Sequence, residues 1–165
     1  MADHVVVPVG IGELRASKDP GEVLVAYGLG SCIGVCLYDP EAKVAGLAHV
    51  MLPSSAEALS QRPLSKFADY AIPMLLDEVG KLGAAPRRLI CKIAGGAQML
   101  TAPGFSTNGF NVGERNAEAV KAALQRHRVP LLKADTGGHR GRTLSIYPVS
   151  GKVMVRTIGE KETDL

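Results

Sequence analysis

The sequence predicts an α+β fold, a mixed β-sheet layered with helices, in one domain over residues 1–165 with its core in residues 5–158. Three observations carry this. Many short β-rich runs are punctuated by Gly and Pro, only two segments show helical spacing, and the last two runs read as a closing hairpin. A chain of 165 residues is long enough to bury a single hydrophobic core.

Val5 to Ile11 reads as a strand, with Pro8 placing it at a sheet edge because proline lacks the N–H a central strand must donate. Glu22 to Tyr27 is a second β-rich run, followed by a Gly28-Leu29-Gly30-Ser31 turn. Ile33 to Tyr38 and Val44 to Leu52 are strands on either side of an Asp39-Pro40-Glu41-Ala42-Lys43 turn. Ser65 to Leu82 has helical spacing, with Phe67, Ala71, Met74, Leu75 and Val79 on one face and Gly83 as its stop. Arg88 to Ala94 is an apolar strand closed by Gly95-Gly96. Residues 101–112 form a polar loop of a length that often carries function. Asn116 to His127 is the second helix, with Asn116 as its N-cap or a partner contact. Leu131 to Ala134 is a strand, Thr143 to Val149 and Lys152 to Ile158 pair as a hairpin, and the charged tail beyond Gly159 is frayed.

Composition narrows the function. Net charge is only +3 and aromatic residues make up 4%. No basic stripe interleaved with aromatics exists, which argues against nucleic-acid binding. The one basic cluster, His139-Arg140-Gly141-Arg142, reads as a solvated loop. No apolar run approaches a membrane span, the first residues do not resemble a signal peptide, and three cysteines cannot all pair. A reduced, cytoplasmic protein with free thiols is the expectation.

The segment from Gly28 to Pro53, GLGSCIGVCLYDPEAKVAGLAHVMLP, carries the chemistry. If its two strands pair about a turn centred between Pro40 and Glu41, Cys32 and His49 are equidistant from that centre. Directly opposed residues share a face, with Cβ atoms about 4.5–5.5 Å apart. A thiol beside an imidazole is what nucleophilic acyl chemistry requires: the thiolate attacks a carbonyl carbon, and the imidazolium lowers the thiol pKa and protonates the leaving group. The oxyanion needs donors, and Gly30 and Ser31 beside Cys32 supply a backbone free to turn its N–H groups toward it. Read singly, Cys32 is also a small buried hydrophobe and His49 a satisfied strand histidine.

Other readings fail on geometry. Cys32 and Cys36 would stand about 13 Å apart on a strand, whereas zinc needs both sulfurs within about 2.3 Å. Cys36 and Cys91 therefore read as core, and His4, His127 and His139 as surface. The Gly28-Leu29-Gly30 turn lacks the third glycine, the following helix and the later acidic residue of a dinucleotide site. No metal or organic cofactor is implied.

Gly28-Leu29-Gly30-Ser31-Cys32, Asp39 and Ala48-His49-Val50-Met51-Leu52-Pro53 resemble the signature of the CheD family, the chemoreceptor glutamine deamidases of bacterial and archaeal chemotaxis. Further matching stretches are Lys66 to Tyr70, Lys92-Ile93-Ala94-Gly95-Gly96-Ala97, Gly113-Glu114-Arg115-Asn116, Asp135-Thr136-Gly137-Gly138 and Gly141-Arg142. The resemblance implies a Cys–His–Thr triad, with Cys32 and His49 as its first two members. The threonine position, six residues before the cysteine, is Ala26, which cannot orient an imidazole. Ser31 and Thr136 are the candidate substitutes. The resemblance further implies a fold similar to the catalytic part of certain Rho-deamidating toxins. Its implied substrates are glutamines on chemoreceptor helices, and its implied partner is CheC, a phosphatase acting on the response regulator CheY. The rival readings are a CheC-binding regulator without catalysis, another thiol acyl-transfer enzyme, and a purely structural thiol.

Overall fold

The computed structural model describes residues 3–55, 63–99 and 111–165. The loop at 101–112, whose Phe105 and Phe110 the sequence offers as a partner contact, lies almost wholly outside them. The expected single sheet resolves into two mixed sheets of five strands. The first comprises β1 (Val5–Pro8), β3 (Glu22–Leu29), β8 (Arg142–Ile146), β9 (Val153–Thr157) and β10 (Thr163–Asp164), in that order. The second runs β2 (Leu14–Ser17), β5 (Val44–Val50), β4 (Ile33–Asp39), β6 (Ile90–Gly95) and β7 (Leu131–Thr136). Among the described residues two α-helices, α1 (Ala68–Lys81) and α2 (Val112–Arg126), complete the α+β architecture.

Strand β4 is the centre of the second sheet, and every residue of β4 and β5 is buried. Alternation explains how one strand serves two cores. Ile33, Val35 and Leu37 of β4 and Val44, Ala48 and Val50 of β5 pack against Ala71, Ile72, Leu75 and Val79 of α1 and Val120 and Leu124 of α2. Cys36 and Tyr38, with Ala45 and Leu47, face the other way and meet Leu24, Ala26, Leu144 and Ile146 of the first sheet. The layers are therefore sheet, sheet, helices. At Gly34 the two sheets come so close that a Cβ would stand 2.7 Å from Leu144 Cδ2.

The β4–β5 hairpin differs from the simple turn arithmetic. Asp39 pairs with Val44, so the loop is Pro40 to Lys43. The cause is Asp39. Its carboxylate accepts from the N–H groups of Glu41 at 2.9 Å and Ala42 at 3.1 Å, and its carbonyl accepts from Lys43 N–H at 2.8 Å. Lys43 closes the loop with φ at 56°. The turn centre moves by one residue and the register by two, and Gly34, not Cys32, stands opposite His49. A two-residue shift preserves the face.

Several boundaries also move. Pro8 does lie on an edge strand, but β2 was missing from the expectation. Met74 is exposed, and Ile72 takes its place on the buried face of α1. Helix α2 begins four residues before Asn116 and is capped by Asn111, whose side chain accepts from Glu114 N–H. The tail is not frayed: β10 pairs with β9, and Leu165 N–H donates to Val153 O at 2.9 Å.

Candidate active site

One end of the two sheets collects the residues singled out above. Strands β3, β5, β6 and β7 end there, and β4 and β8 begin there. Cys32 immediately precedes β4 and His49 is the penultimate residue of β5. Cys32 stands level with Met51, two residues past His49 on the same inter-sheet face, by extension of the Ile33–Val50 pair. The two are thus diagonal neighbours rather than an opposed pair, and no hydrogen bond joins thiol and imidazole.

His49 is 2% exposed. Its Nδ1 lies 2.9 Å from the carbonyl oxygen of Val9. A carbonyl only accepts, so Nδ1 carries the proton and Nε2 presents its lone pair. Nε2 has no partner among the described residues. Neither Ser31 nor Thr136 contacts the ring as an orienting group; the backbone at Val9 does so. Ala26 lies in the inter-sheet core near this layer, wholly buried. Burial pushes the His49 pKa below its ordinary 6.5, against smaller opposing effects of the Val9 carbonyl and the Glu13 carboxylate.

Cys32 is 8% exposed, and burial raises its thiol above the ordinary 9.0. The imidazolium effect expected from sequence is therefore absent at rest: the pair is a neutral thiol and a neutral imidazole near pH 7. Cys36 and Cys91 are core thiols, both raised by burial, and His4, His127 and His139 are exposed, as expected. Among the described residues no cluster of His, Cys, Asp and Glu has metal-binding geometry.

The loop before β4 is pinned at three consecutive carbonyls. Gly30 O accepts from Ala97 N–H at 2.8 Å and Cys32 O from Gly96 N–H at 2.9 Å. Ser31 O accepts from the side-chain amide of Asn116 at 2.9 Å. In a trans peptide the N–H points opposite to the carbonyl, so the Ser31 and Cys32 N–H groups are directed away from these anchors. The Gly95-Gly96 turn is a tight turn after a strand, as read, with φ of 118° and 66°. Gly95 approaches the loop so closely that a Cβ would lie 2.2 Å from Cys32 O.

Arg142 corrects the picture of a solvated basic loop. It is 7% exposed and donates to Gly95 O at 3.1 Å and Gly137 O at 2.8 Å, with Asp135 3.4 Å away. Sequence reasoning also missed Val9, whose contribution is a backbone carbonyl and so leaves no side-chain signal. Asn116 did leave one: it is a polar residue on the stripe of Gly113, Ala117, Val120 and Leu124 that α2 buries.

The family model described as CheD chemotactic sensory transduction matches residues 51–157. That stretch begins after Cys32 and His49, which are covered by full-length relatives. The chain is 47% identical over 154 residues to the "Chemoreceptor glutamine deamidase CheD" of Thermotoga maritima, covering 93% of each chain. It is 46% identical over 154 residues to the "Probable chemoreceptor glutamine deamidase CheD" of Caldanaerobacter subterraneus, covering 93% of this chain and 94% of that one. A protein of the same name from Symbiobacterium thermophilum is 43% identical over the whole of both chains. Among solved structures, the hypothetical protein YfiH of Bacillus licheniformis superposes with a TM-score of 0.48 at 12% identity, covering 84% of this chain and 61% of that one. No helix among the described residues is long and apolar enough to cross a membrane. With relatives this similar over nearly its whole length, the chain belongs to the CheD family.

Proposed function

We propose that this protein is a chemoreceptor glutamine deamidase, a hydrolase that converts receptor glutamines to glutamate, with Cys32 as nucleophile and His49 as general base. The observation that carries the reading is the imidazole itself. It is buried, held at Nδ1 by Val9 O and unpartnered at Nε2, on the face and at the sheet end where Cys32 lies.

His49 Nε2 takes the thiol proton as Cys32 Sγ bonds to the side-chain carbonyl carbon of a glutamine. The oxyanion meets the N–H groups of Ser31 and Cys32, in a loop whose turn Gly30 permits. The imidazolium then protonates the nitrogen, the C–N bond breaks, and ammonia leaves a thioester. A water gives a proton to His49 and its oxygen to the acyl carbon. The C–S bond breaks, the thiol is re-formed, and glutamate remains. The missing thiol–imidazole hydrogen bond is consistent with this, since such bonds often tighten only in the substrate complex.

Substrate chemistry fits a protein side chain: the nucleophile sits at a sheet end, with Met51 and Met99 exposed beside its loop. The test is incubation with receptor cytoplasmic domains and mapping of glutamine-to-glutamate conversion by mass spectrometry. Conversion lost in Cys32→Ala supports the reading, and no conversion by folded protein on intact receptor removes it. One observation favours a second reading. Alanine at position 26, together with a thiol raised by burial, suits a weakly active protein whose main task is binding CheC. A CheC complex without ammonia release would favour that reading.

A further inference from the structure

Asn116 is wholly buried in α2, yet it neither caps the helix nor forms an ion pair. Its Nδ2 donates to Ser31 O at 2.9 Å and to Met51 O at 2.8 Å. The first carbonyl belongs to the residue before Cys32. The second belongs to the residue level with Cys32 across the hairpin, two positions beyond His49. One amide nitrogen therefore ties the nucleophile's loop to the end of the base's strand, and both of its N–H groups are used.

The rest of that amide is instructive. Its Oδ1 is buried and has no donor among the described residues. A buried acceptor left unpaired costs stability, while Ala117, Val120 and Leu124 on the same helix face are apolar. Packing alone would favour an apolar side chain at this position. The two N–H groups are what an apolar residue cannot supply. Of the three pinned carbonyls around Cys32, Ser31 O alone is held by a side chain; Gly30 O and Cys32 O are held by backbone N–H groups. Peptide planarity then makes the direction of the Cys32 N–H depend on Asn116.

We propose that Asn116 is the positioning residue for Cys32. Its amide fixes the Ser31–Cys32 peptide plane and the span from the nucleophile to the strand carrying His49, without touching substrate. The proposal rests on the reading of Cys32 and His49 as nucleophile and base.

The test uses the full chain as Asn116→Asp, nearly isosteric but without donors when ionised, and Asn116→Ala. Folding is checked by circular dichroism. Two activities are then measured: receptor deamidation, as kcat and KM, and the pH profile of Cys32 alkylation by iodoacetamide without receptor. A misplaced reacting group costs about 10–100-fold, so kcat should fall by that much in both variants. KM should stay within about twofold, because no substrate contact is lost. The alkylation profile should shift from that of the wild type. Wild-type kcat in a folded variant, or a KM increase at unchanged kcat, would overturn the positioning role. So would failure of both variants to fold, which would assign Asn116 to the fold alone. The two readings fail separately. If the wild type does not deamidate but the alkylation profile still shifts, the deamidase reading falls and the clamp stands. If the wild type deamidates and the variants match it, the clamp falls and the deamidase stands.

Discussion

The imidazole of His49 is oriented by the backbone of Val9, with Nδ1 2.9 Å from the carbonyl oxygen. A carbonyl can fill the orienting role in a nucleophile–base–orienter arrangement, because that role asks only for an acceptor at the second ring nitrogen. Alanine at position 26 is then tolerable. Restoring the family residue should bring no benefit. Ala26→Thr places two extra heavy atoms in a wholly buried site of the inter-sheet core, which costs about 1–3 kcal/mol. The expected result is a lower urea midpoint and a kcat no more than about threefold above wild type. A gain of tenfold or more would show that His49 lacks an adequate orienter.

The pH dependence follows from two opposite shifts. Burial holds the His49 pKa below 6.5 and the Cys32 pKa above 9.0. In the proposed mechanism the working state is then a neutral imidazole with a neutral thiol. Deamidation should therefore fall only as pH drops through a value below 6.5, and it should stay level up to at least pH 9. Cys32 alkylation should stay slow across that plateau, since thiolate is the reacting form. Stability has the same sign on the acid side. The unfolded imidazole binds a proton below 6.5 while the folded one does not, so His49 makes the fold less stable as pH falls through that window. Fast alkylation at pH 7 would indicate a resting ion pair instead.

Gly95→Ala should be far more damaging than its size suggests. A Cβ would stand 2.2 Å from Cys32 O, and φ is 118°. The nucleophile's loop or the turn must move, at about 1–3 kcal/mol of stability and about 10–100-fold in kcat. Parallel measurement of melting and turnover checks both.

Asp39 governs the hairpin that sets the Cys32–His49 register. Burial alone would raise its carboxyl. Hydrogen bonds from Arg88 and from the Ala85, Ala42 and Glu41 N–H groups outweigh this and hold it well below the usual carboxylate range. Its stabilisation is present above the unfolded value of 3.8 and is lost as pH falls below it. Asp39→Ala takes the acceptor from the Glu41, Ala42 and Ala85 N–H groups and the 2.9 Å partner from Arg88, which keeps Glu41 at 3.5 Å; leaving those backbone donors unpaired costs about 1–3 kcal/mol. Urea unfolding at neutral pH measures the loss. In the variant, the decline of stability below pH 4 should be shallower than in the wild type.

Much of this was legible in the chain. Alternation, turn residues and helical spacing locate eight of the ten described strands approximately and both described helices, because burial on one face imposes those periods. The short β2 and β10 escape it, since four residues of mixed burial and two exposed polar ones give little pattern. Two sheets could not be told from one, because strands such as β4 are buried on both faces and lose their alternation. The Cys32–His49 pairing was right in face and end but wrong in register, because the four-residue loop depends on Asp39 side-chain bonds. Arg142 and Asn116 read as surface or cap residues, since their partners are carbonyls distant in sequence.

Hydrolysis through Cys32 is tested most directly by running the receptor reaction in water enriched with heavy oxygen and mapping the product peptides. The expected result is site-specific glutamate carrying one solvent oxygen, with both conversion and label lost in Cys32→Ala and in His49→Ala. Labelled glutamate at the same sites with either variant, at the wild-type rate, would contradict a Cys32–His49 deamidase.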